Sequence, residues 1–244
     1  MTSRVARALL SAAGELVEAL APLRFAKPVA HVYQPLDYAS AGYRAYVERW
    51  GASEREILWI GMNPGPFGMM QTGVPFGDVA KVRDFLGITA PVRAPSGAHP
   101  SRPVDGFACA RSEVSGTRLW GTIQERFGAP ERFFARFFVA NYCPLAFLDE
   151  GARNLTPDKL PKHEREPLEA ACDVHLRALF AAMKPRLVIG VGAFAEARAR
   201  HALGGLDVAF GRITHPSPAN PTANRDWAGL VTRELAALGV AFVG

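Results

Sequence analysis

Four short apolar runs, separated by longer stretches with helical periodicity, are the feature that most constrains the fold of this chain. They span residues 57–62, 137–140, 186–191 and 208–214. The first three are almost continuously apolar, as in parallel strands covered on both faces, and the more polar fourth is typical of an edge strand. Strands that alternate with helices predict a doubly wound α/β fold, with three α/β/α layers around a central, mainly parallel four-stranded sheet.

Helical periodicity lies between these runs and at both ends of the chain. The predicted helices cover residues 6–20, 38–50, 79–86, 115–127, 164–183, 194–202 and 227–238. The stretch 89–106 is rich in Pro, Gly, Ser and Ala, which predicts a long loop. Neither a repeat nor an interdomain linker interrupts the pattern, so we expect a single domain over residues 1–244.

Composition excludes several classes of protein. The formal net charge of +5 permits binding to a polyanion but does not require it. Cys109, Cys143 and Cys172 lack the spacing of a zinc or iron–sulfur site, which predicts mostly buried thiols in a reducing compartment. No apolar run approaches the roughly 18 residues of a membrane span, and the N-terminal pattern predicts an amphipathic helix rather than a signal peptide.

Most histidines and the basic pair of one predicted helix have no evident function in the sequence. Five histidines lack the spacing of metal ligands, and we expect them to be solvated or capping: His31, His99, His163, His175 and His201. Arg198 and Arg200 are expected on an exposed helix face. The sequence therefore predicts that no metal is bound.

Polar side chains follow three of the four predicted strands. Asn63 comes after the first run, Asn141 after the second and His215 after the fourth, each beside Gly or Pro residues typical of turns. Ligands of open α/β sheets bind at the carboxyl ends of the strands. We therefore expect the two amides and the imidazole to meet in one crevice.

The turns that carry these residues form recognisable motifs. Residues 61–77, with the sequence GMNPGPFGMMQTGVPFG, closely resemble the first motif of the single-strand-selective monofunctional uracil-DNA glycosylases. Segments similar to further motifs of this family follow in order at 111–116 (RSEVSG), 141–145 (NYCPL), 153–157 (RNLTP) and 215–218 (HPSP). The resemblance runs from about Tyr33 to the C-terminus.

The resemblance implies an activity and its setting. The fold is expected to be uracil-DNA glycosylase-like, and the reaction to be hydrolysis of the N-glycosidic bond of uracil and oxidised uracils, such as 5-hydroxymethyluracil, in single- and double-stranded DNA. The resemblance also implies a role in base-excision repair. It implies an enzyme that has no lyase activity, uses no cofactor and is not attached to a membrane. We expect a monomer in the bacterial cytoplasm, associated with the nucleoid through its DNA substrate.

The same resemblance assigns roles to individual residues. It implies that Asn63 orients the attacking water and that His215 stabilises the departing base. The residues implied to bind the base are Gly65, Met69, Phe76 and Asn141. Those expected to contact DNA are Ser217, Ala219, Asn220, Asn224 and Arg225.

The chain departs from the family pattern at two positions. Ala219 stands where animal members usually have Arg, a residue placed to wedge into the DNA, and Ala140 stands where many members have His. The first departure predicts a weakened wedge, and the second concerns only the surroundings of Asn141.

The chemistry explains why these residue types suit the reaction. Breaking the bond to deoxyribose develops negative charge on uracil O2, and a donor aimed at a developing oxyanion is typically worth about 2.7–4 kcal/mol. Asn141 offers a donor and an acceptor in one plane, which match uracil O4 and N3–H but not the edge of cytosine. Asn63 can hold a water molecule but cannot deprotonate it. We therefore expect stabilisation of the departing uracil to make the largest contribution to catalysis.

Other interpretations stay open at this point. The chain could bind damaged DNA without turnover, although the presence of Asn63 and His215 argues for catalysis. It could also act mainly on deaminated purines, because the pocket volume cannot be read from sequence.

Two further motif interpretations are disfavoured. Ser217 lacks the G-x-S-x-G turn of a nucleophilic serine. Gly190-Val191-Gly192 lacks the third glycine of a dinucleotide-binding motif, so these glycines are expected to allow tight packing of the strand against the next helix.

Overall fold

The computed structural model describes residues 1–243 and contains seven strands. In chain order these are β1 (His31–Tyr33), β2 (Ile57–Gly61), β3 (Phe137–Asn141), β4 (Ala146–Leu148), β5 (Asn154–Leu155), β6 (Leu187–Val191) and β7 (Ala209–Ile213). The four runs predicted from the sequence correspond to β2, β3, β6 and β7, each within one or two residues at either end.

Nine α-helices accompany the strands in the described part of the chain. They are α1 (Arg4–Leu20), α2 (Pro35–Tyr38), α3 (Ser40–Trp50), α4 (Met69–Thr72), α5 (Val114–Phe127), α6 (Pro130–Phe134), α7 (Lys162–Met183), α8 (Ala193–Ala202) and α9 (Pro221–Ala237). A π-helical turn at Lys81–Phe85 replaces the α-helix predicted over 79–86. Short 3₁₀ turns lie at Gly106–Ala108 and Pro157–Lys159.

The central sheet is entirely parallel and has the strand order β3–β2–β6–β7. All side chains of β2 and β6 are buried, as expected for strands covered on both faces. β7 lies at an edge and exposes Ala209 and Arg212, which confirms the interpretation of its more polar sequence. In this register Gly61 of β2 pairs with Asn141 of β3, so the two motif turns leave the sheet side by side.

Helices cover the sheet in two groups. α1 packs against α3 and α7, and α8 packs against α7 and β6. The second group joins α5 to α6 and α9, with α6 against β3 and α9 against β7. This arrangement is the predicted three-layer α/β/α fold. A side chain on Gly190 would collide with the backbone of Glu196 in α8, which confirms tight strand-to-helix packing in place of a dinucleotide turn.

A second, antiparallel sheet with the order β1–β4–β5 was not predicted from the sequence. Its strands have only two or three residues, too few to show a two-residue alternation. The segment after β5 borders the candidate site described below, so the small sheet helps to build the site.

Two expectations about single side chains were wrong. His175 is not solvated: it is buried in α7, with Nδ1 3.2 Å from the carbonyl oxygen of Ala12 in α1. Arg198 is not on an exposed face: its guanidinium is largely buried and donates to Asp173 at 2.6 Å and to Glu169 at 3.1 Å. In both cases an acceptor from a distant part of the chain satisfies a polar group that helix periodicity alone assigns to solvent.

Candidate active site

A cavity of about 360 Å³ opens at the carboxyl ends of β2, β3 and β7. All of the residues predicted to be catalytic or to bind the base line this one cavity: Asn63, Gly65, Met69, Phe76, Asn141 and His215. The expected convergence of two amides and an imidazole is therefore present in the structure.

Asn63 lies in the turn after β2 with its amide held in one orientation. Its Nδ2 donates a hydrogen bond to the carbonyl oxygen of Leu145 at 3.2 Å. That bond commits the donor side of the amide to the protein, so Oδ1 is left as the acceptor. An acceptor on the cavity wall suits the placement of a water molecule.

Asn141 is the last residue of β3 and has an unsatisfied acceptor. Its Nδ2 lies 3.2 Å from the sulfur of Met69, which is only a weak acceptor. Within residues 1–243, its buried Oδ1 has no hydrogen-bond partner. Leaving a buried acceptor unpaired typically costs about 1–3 kcal/mol, so this atom indicates a ligand with a donor group.

Gly61 makes the close approach of Asn141 possible. A Cβ atom built on Gly61 would collide with Oδ1 of Asn141 and would lie 2.5 Å from the ring of Phe76. Only glycine at the end of β2 lets these two side chains meet over the strand. The first glycine of the motif therefore has a packing role in the cavity.

His215 follows β7 and is held in a single tautomer. The backbone N–H of Ser217 donates to its Nδ1 at 3.1 Å. Burial lowers the pKa of His215 to about 4, so the ring is neutral at pH 7. With Nδ1 acting as the acceptor, the single ring proton is carried by Nε2, which makes His215 a neutral hydrogen-bond donor.

Phe76 forms an aromatic wall of the cavity next to His215. The two ring centroids are 5.9 Å apart. Its backbone is in the left-handed region, with φ of +53°, which costs a non-glycine residue on the order of 1–3 kcal/mol and is typical of functional sites. Gly116 of α5 approaches the Phe76 carbonyl oxygen so closely that a Cβ atom there would collide with it.

Sequence reasoning missed one acidic residue of the cavity. Glu113 precedes α5 and lines the cavity, where Oε2 accepts a hydrogen bond from the backbone N–H of Phe67 at 3.2 Å. Burial raises the pKa of the Glu113 carboxyl. The RSEVSG segment was the available signal, but nothing in it shows that the side chain reaches the first motif.

Asn154 and Thr156 also line the cavity and were not singled out. They belong to the segment RNLTP (residues 153–157), which contains β5 and then continues out of the small antiparallel sheet. Their contribution depends on a sheet that the sequence pattern did not predict.

The residues predicted to contact DNA lie around and beyond the mouth of the cavity. Ser217 lines the cavity, whereas the others continue outward along the loop and the start of α9: Ala219, Asn220, Asn224 and Arg225. Ala219 and Arg225 are exposed. Contact of these five residues with DNA stays a prediction.

The two asparagine side chains among these residues already make internal hydrogen bonds. Asn220 caps α9 by accepting from the backbone N–H of Thr222 at 3.0 Å. Asn224 donates to the Pro218 carbonyl oxygen at 2.8 Å and accepts from Arg118 at 2.9 Å. Both amides therefore hold the loop in shape, whatever else they contact.

Comparison with known proteins places this site in a family. The model of the uracil DNA glycosylase superfamily matches residues 49–235. The chain belongs to this superfamily. Within it, the chain is 48% identical over 223 residues to the mouse single-strand selective monofunctional uracil DNA glycosylase, covering 91% of this chain and 80% of that protein. The cattle protein of the same name is 47% identical over 227 residues, or 92% and 84% of the two chains.

A solved structure shows the same fold. The crystal structure of wild-type Pedobacter heparinus SMUG2 aligns with a TM-score of 0.67 over 93% of this chain and 97% of that one, at 15% identity. The superfamily member described here therefore has the uracil-DNA glycosylase fold expected from its motifs. The mammalian sources of its curated relatives lend no support to the expected bacterial origin.

Neither a metal-binding cluster nor a membrane-spanning helix is present among the residues that the structure describes. Among residues 1–243, no three His, Cys, Asp or Glu side chains come together in a way that could hold a metal ion. No helix in that part of the chain has the length and apolar character needed to cross a bilayer.

Proposed function

We propose that this protein is a monofunctional uracil-DNA glycosylase, which hydrolyses the N-glycosidic bond of uracil in DNA and leaves an abasic strand. The observation that carries the proposal is the Asn141 amide, whose buried Oδ1 has no partner within the described residues and whose Nδ2 has only a sulfur partner. It lies in one cavity with a neutral histidine donor and an amide acceptor. The similarity to the mouse and cattle glycosylases supports the same activity.

Recognition begins when the base leaves the helical stack, since its edge cannot be read inside a duplex. The extruded base stacks on Phe76. Asn141 Oδ1 then accepts the N3–H of uracil, and Nδ2 exchanges the Met69 sulfur for uracil O4, a stronger acceptor. Cytosine presents an acceptor at N3 and a donor at N4, so both contacts are mismatched. Polar mismatches of this kind can discriminate by about 10⁴–10⁵.

Cleavage breaks the bond between C1′ and N1, and the electron pair stays with the uracil. The sugar becomes an oxocarbenium-like cation, and negative charge develops on uracil O2. The Nε2–H of His215 donates to that oxygen. Because the ring is already desolvated and neutral, its orientation is fixed before charge develops, which is how preorganised donors lower a barrier.

Asn63 directs water to the cationic sugar. Its Oδ1 accepts a hydrogen bond from the water, and the water oxygen forms the new bond to C1′. The water proton is released to solvent after attack, since neither amide of the cavity can act as a base. The uracil anion takes up a proton from solvent, so the products are free uracil and an intact abasic strand.

The substrate range that the cavity favours extends to oxidised uracils. By the resemblance, Gly65 stands where thymine-excluding relatives carry a bulky side chain, which supports acceptance of a small 5-substituent such as hydroxymethyl. The Glu113 carboxyl borders this position. Single-stranded and double-stranded DNA are both substrates in this proposal, because the cavity receives one extruded nucleotide in either case.

A base-release assay with purified protein tests the proposal. Oligonucleotides carrying uracil, 5-hydroxymethyluracil, hypoxanthine or xanthine are compared, and the released base is identified. We expect repeated turnover on uracil and release of 5-hydroxymethyluracil. Binding without release of any base would instead indicate a damaged-DNA binding protein, and faster release of the purines would indicate a glycosylase for deaminated purines.

A further inference from the structure

Thr214 separates the end of β7 from His215, and helix α9 binds each of its polar groups. The backbone N–H of Thr214 donates to Oε2 of Glu234 at 2.7 Å, and its hydroxyl donates to Oε1 of the same carboxylate at 2.6 Å. The indole Nε1–H of Trp227 donates to the Thr214 carbonyl oxygen at 2.8 Å. Glu234 therefore makes two of the three hydrogen bonds that hold this residue.

The parallel sheet does not hold Thr214 in place. The backbone N–H of Gly192 donates to the carbonyl oxygen of Ile213 at 2.8 Å, and the pairing of β6 with β7 ends at Ile213. The N–H of Thr214, one residue further on, needs an acceptor from outside the sheet. The Glu234 carboxylate supplies it, and hydrogen bonds to carboxylates are roughly twice as strong as those between neutral groups.

His215 depends on its neighbours for its position. Within residues 1–243, its ring has a single hydrogen bond, from the Ser217 N–H to Nδ1, and this bond lies within one turn. It sets the tautomer but does not attach the turn to the rest of the protein. The attachments lie on either side: Thr214 is bound to α9, and the Pro216 carbonyl oxygen accepts from Arg118 of α5 at 3.1 Å.

We propose that Glu234 is a positioning residue, which by holding Thr214 sets where the Nε2–H of His215 lies relative to uracil O2. The inference rests on the proposed glycosylase function and adds to it a residue outside the cavity. Glu234 is not among the residues that line the cavity, so it acts through the backbone rather than on the base. Displacing a reacting group by about 1 Å can cost on the order of 10²-fold in rate, so loosening of this turn is measurable.

Three substitutions change this contact in graded steps. Glu234→Ala removes both hydrogen bonds to Thr214. Glu234→Gln keeps an amide oxygen as the acceptor for the backbone N–H, and its NH₂ group can donate to the hydroxyl. Thr214→Val removes the hydroxyl alone and leaves the backbone N–H bound to Glu234. Glu125→Ala, at an exposed position of α5, is the matched control for the loss of one carboxylate.

Single-turnover kinetics separate the chemical step from DNA binding. We expect Glu234→Ala to lower the maximal rate of uracil release by about ten-fold, less than the loss expected on removing the imidazole itself. The protein concentration that gives half of the maximal rate should not change, because Glu234 contacts neither base nor DNA in this proposal. Glu234→Gln and Thr214→Val should lose less than Glu234→Ala, and Glu125→Ala should match the wild type.

A double-mutant cycle with His215→Ala distinguishes positioning from a general structural role. If Glu234 acts through the imidazole, Glu234→Ala should cause no further loss of rate once the imidazole is absent. A general structural role would slow the residual reaction of His215→Ala by the same factor as it slows the wild type. The cycle is therefore read from the two ratios, not from the rate of any one variant.

Three results would overturn the inference while leaving the uracil activity intact. The first is a folded Glu234→Ala protein with the wild-type maximal rate. The second is an equal loss with and without His215. The third is a change in the half-maximal concentration alone, which assigns Glu234 to DNA binding.

Two controls keep these outcomes separate. If Glu234→Ala does not fold, Glu234→Gln and Thr214→Val give the same comparison with and without His215. Failure of the wild type to release uracil at all would instead refute the proposed function itself.

Discussion

Two features of its surroundings keep His215 neutral. Its ring is buried enough to lower its pKa to about 4, and its Nδ1 is occupied by the Ser217 N–H. Protonation at Nδ1 would require both loss of that hydrogen bond and burial of a charge. The side chain is therefore a neutral donor throughout the physiological pH range.

The protonation state of His215 can be measured directly. Titration of the ring nitrogens by ¹⁵N NMR should give a pKa near 4 for His215, with the proton on Nε2 above that value. Because protonation occurs so far below neutrality, the uracil-release rate should show no inflection near pH 6.5, the ordinary histidine pKa. A His215 pKa near 6.5, or a proton on Nδ1 at pH 7, would contradict the assigned tautomer.

Sequence predicted some residues of the cavity and missed others for a physical reason. Asn63, Asn141 and His215 immediately follow strands, and strand ends meet at one edge of a parallel sheet, so their convergence follows from the order of elements. Glu113 reaches the cavity only because two distant glycines leave room for its side chain. Close packing of that kind is not encoded in any local periodicity.

At the scale of elements, the loop from His215 into α9 joins the cavity to the outer surface. Arg118 of α5 donates to the Pro216 carbonyl oxygen at 3.1 Å and to Asn224 at 2.9 Å, which anchors the loop to a second helix. α9 itself is kinked at Asp226, where the backbone leaves helical geometry. This kink separates a short first turn from the helix predicted over 227–238.

Ala219 lies exposed on this loop, where animal relatives usually carry Arg. Extruding a paired nucleotide costs a few kcal/mol of unstacking and unpairing, and an arginine there could fill the vacated space. We expect Ala219→Arg to raise the uracil-release rate on duplex DNA several-fold more than on single strands. Ala236→Arg, which adds the same charge at an exposed position near the end of α9, should leave the ratio unchanged.

The expected change depends on the loop acting as the wedge. If Ala219→Arg leaves the duplex-to-single-strand ratio unchanged or lowers it, another residue fills the gap. An equal rise with both variants would show only a general effect of added positive charge on DNA binding.

The long elements were predictable because each contains enough residues to show its period. The strands of the parallel sheet appear as continuous apolar runs, and α5, α7 and α8 appear as helical stripes close to their observed bounds. The small antiparallel sheet and the π-helical turn depend on tertiary contacts over a few residues, so sequence patterns do not reveal them.

At the scale of the whole molecule, the buried His175 and the partly buried His215 couple stability to pH. Burial lowers the pKa of both His175 and His215 to about 4, whereas an unfolded chain binds these protons near pH 6.5. Between those values the unfolded state holds more protons, so the free energy of unfolding falls as pH falls from about 6.5 to about 4.

Urea unfolding at pH 7 and pH 5 measures this coupling. The free energy of unfolding should be lower at pH 5, and His175→Gln should reduce the difference between the two pH values. His163→Gln, at an exposed position, should not change that difference. A pH dependence that is the same in His175→Gln as in the wild type would contradict a neutral, buried His175.

We expect the whole protein to hydrolyse the N-glycosidic bond without forming a covalent enzyme–DNA intermediate. A lyase needs an amine to form a Schiff base with the sugar. None of the five lysines lines the cavity: Lys27, Lys81, Lys159, Lys162 and Lys184. Borohydride should therefore trap no enzyme–DNA adduct, and EDTA should not change the rate. A trapped adduct, or activity that EDTA removes and metal restores, would contradict this expectation.

The roles assigned to His215 and Asn63 are tested most directly by the single-turnover rate of uracil release in His215→Ala and Asn63→Ala. His163→Ala, at an exposed position, is the control. We expect the loss of the leaving-group donor to slow release by roughly 10²–10³-fold. Loss of the water-positioning amide should slow it by about 10²–10⁴-fold if its effect matches that of a general base. The control should retain the wild-type rate, and all three variants should unfold cooperatively. A folded His215→Ala or Asn63→Ala protein that releases uracil at nearly the wild-type rate would show that the reaction takes place without the residues assigned to it.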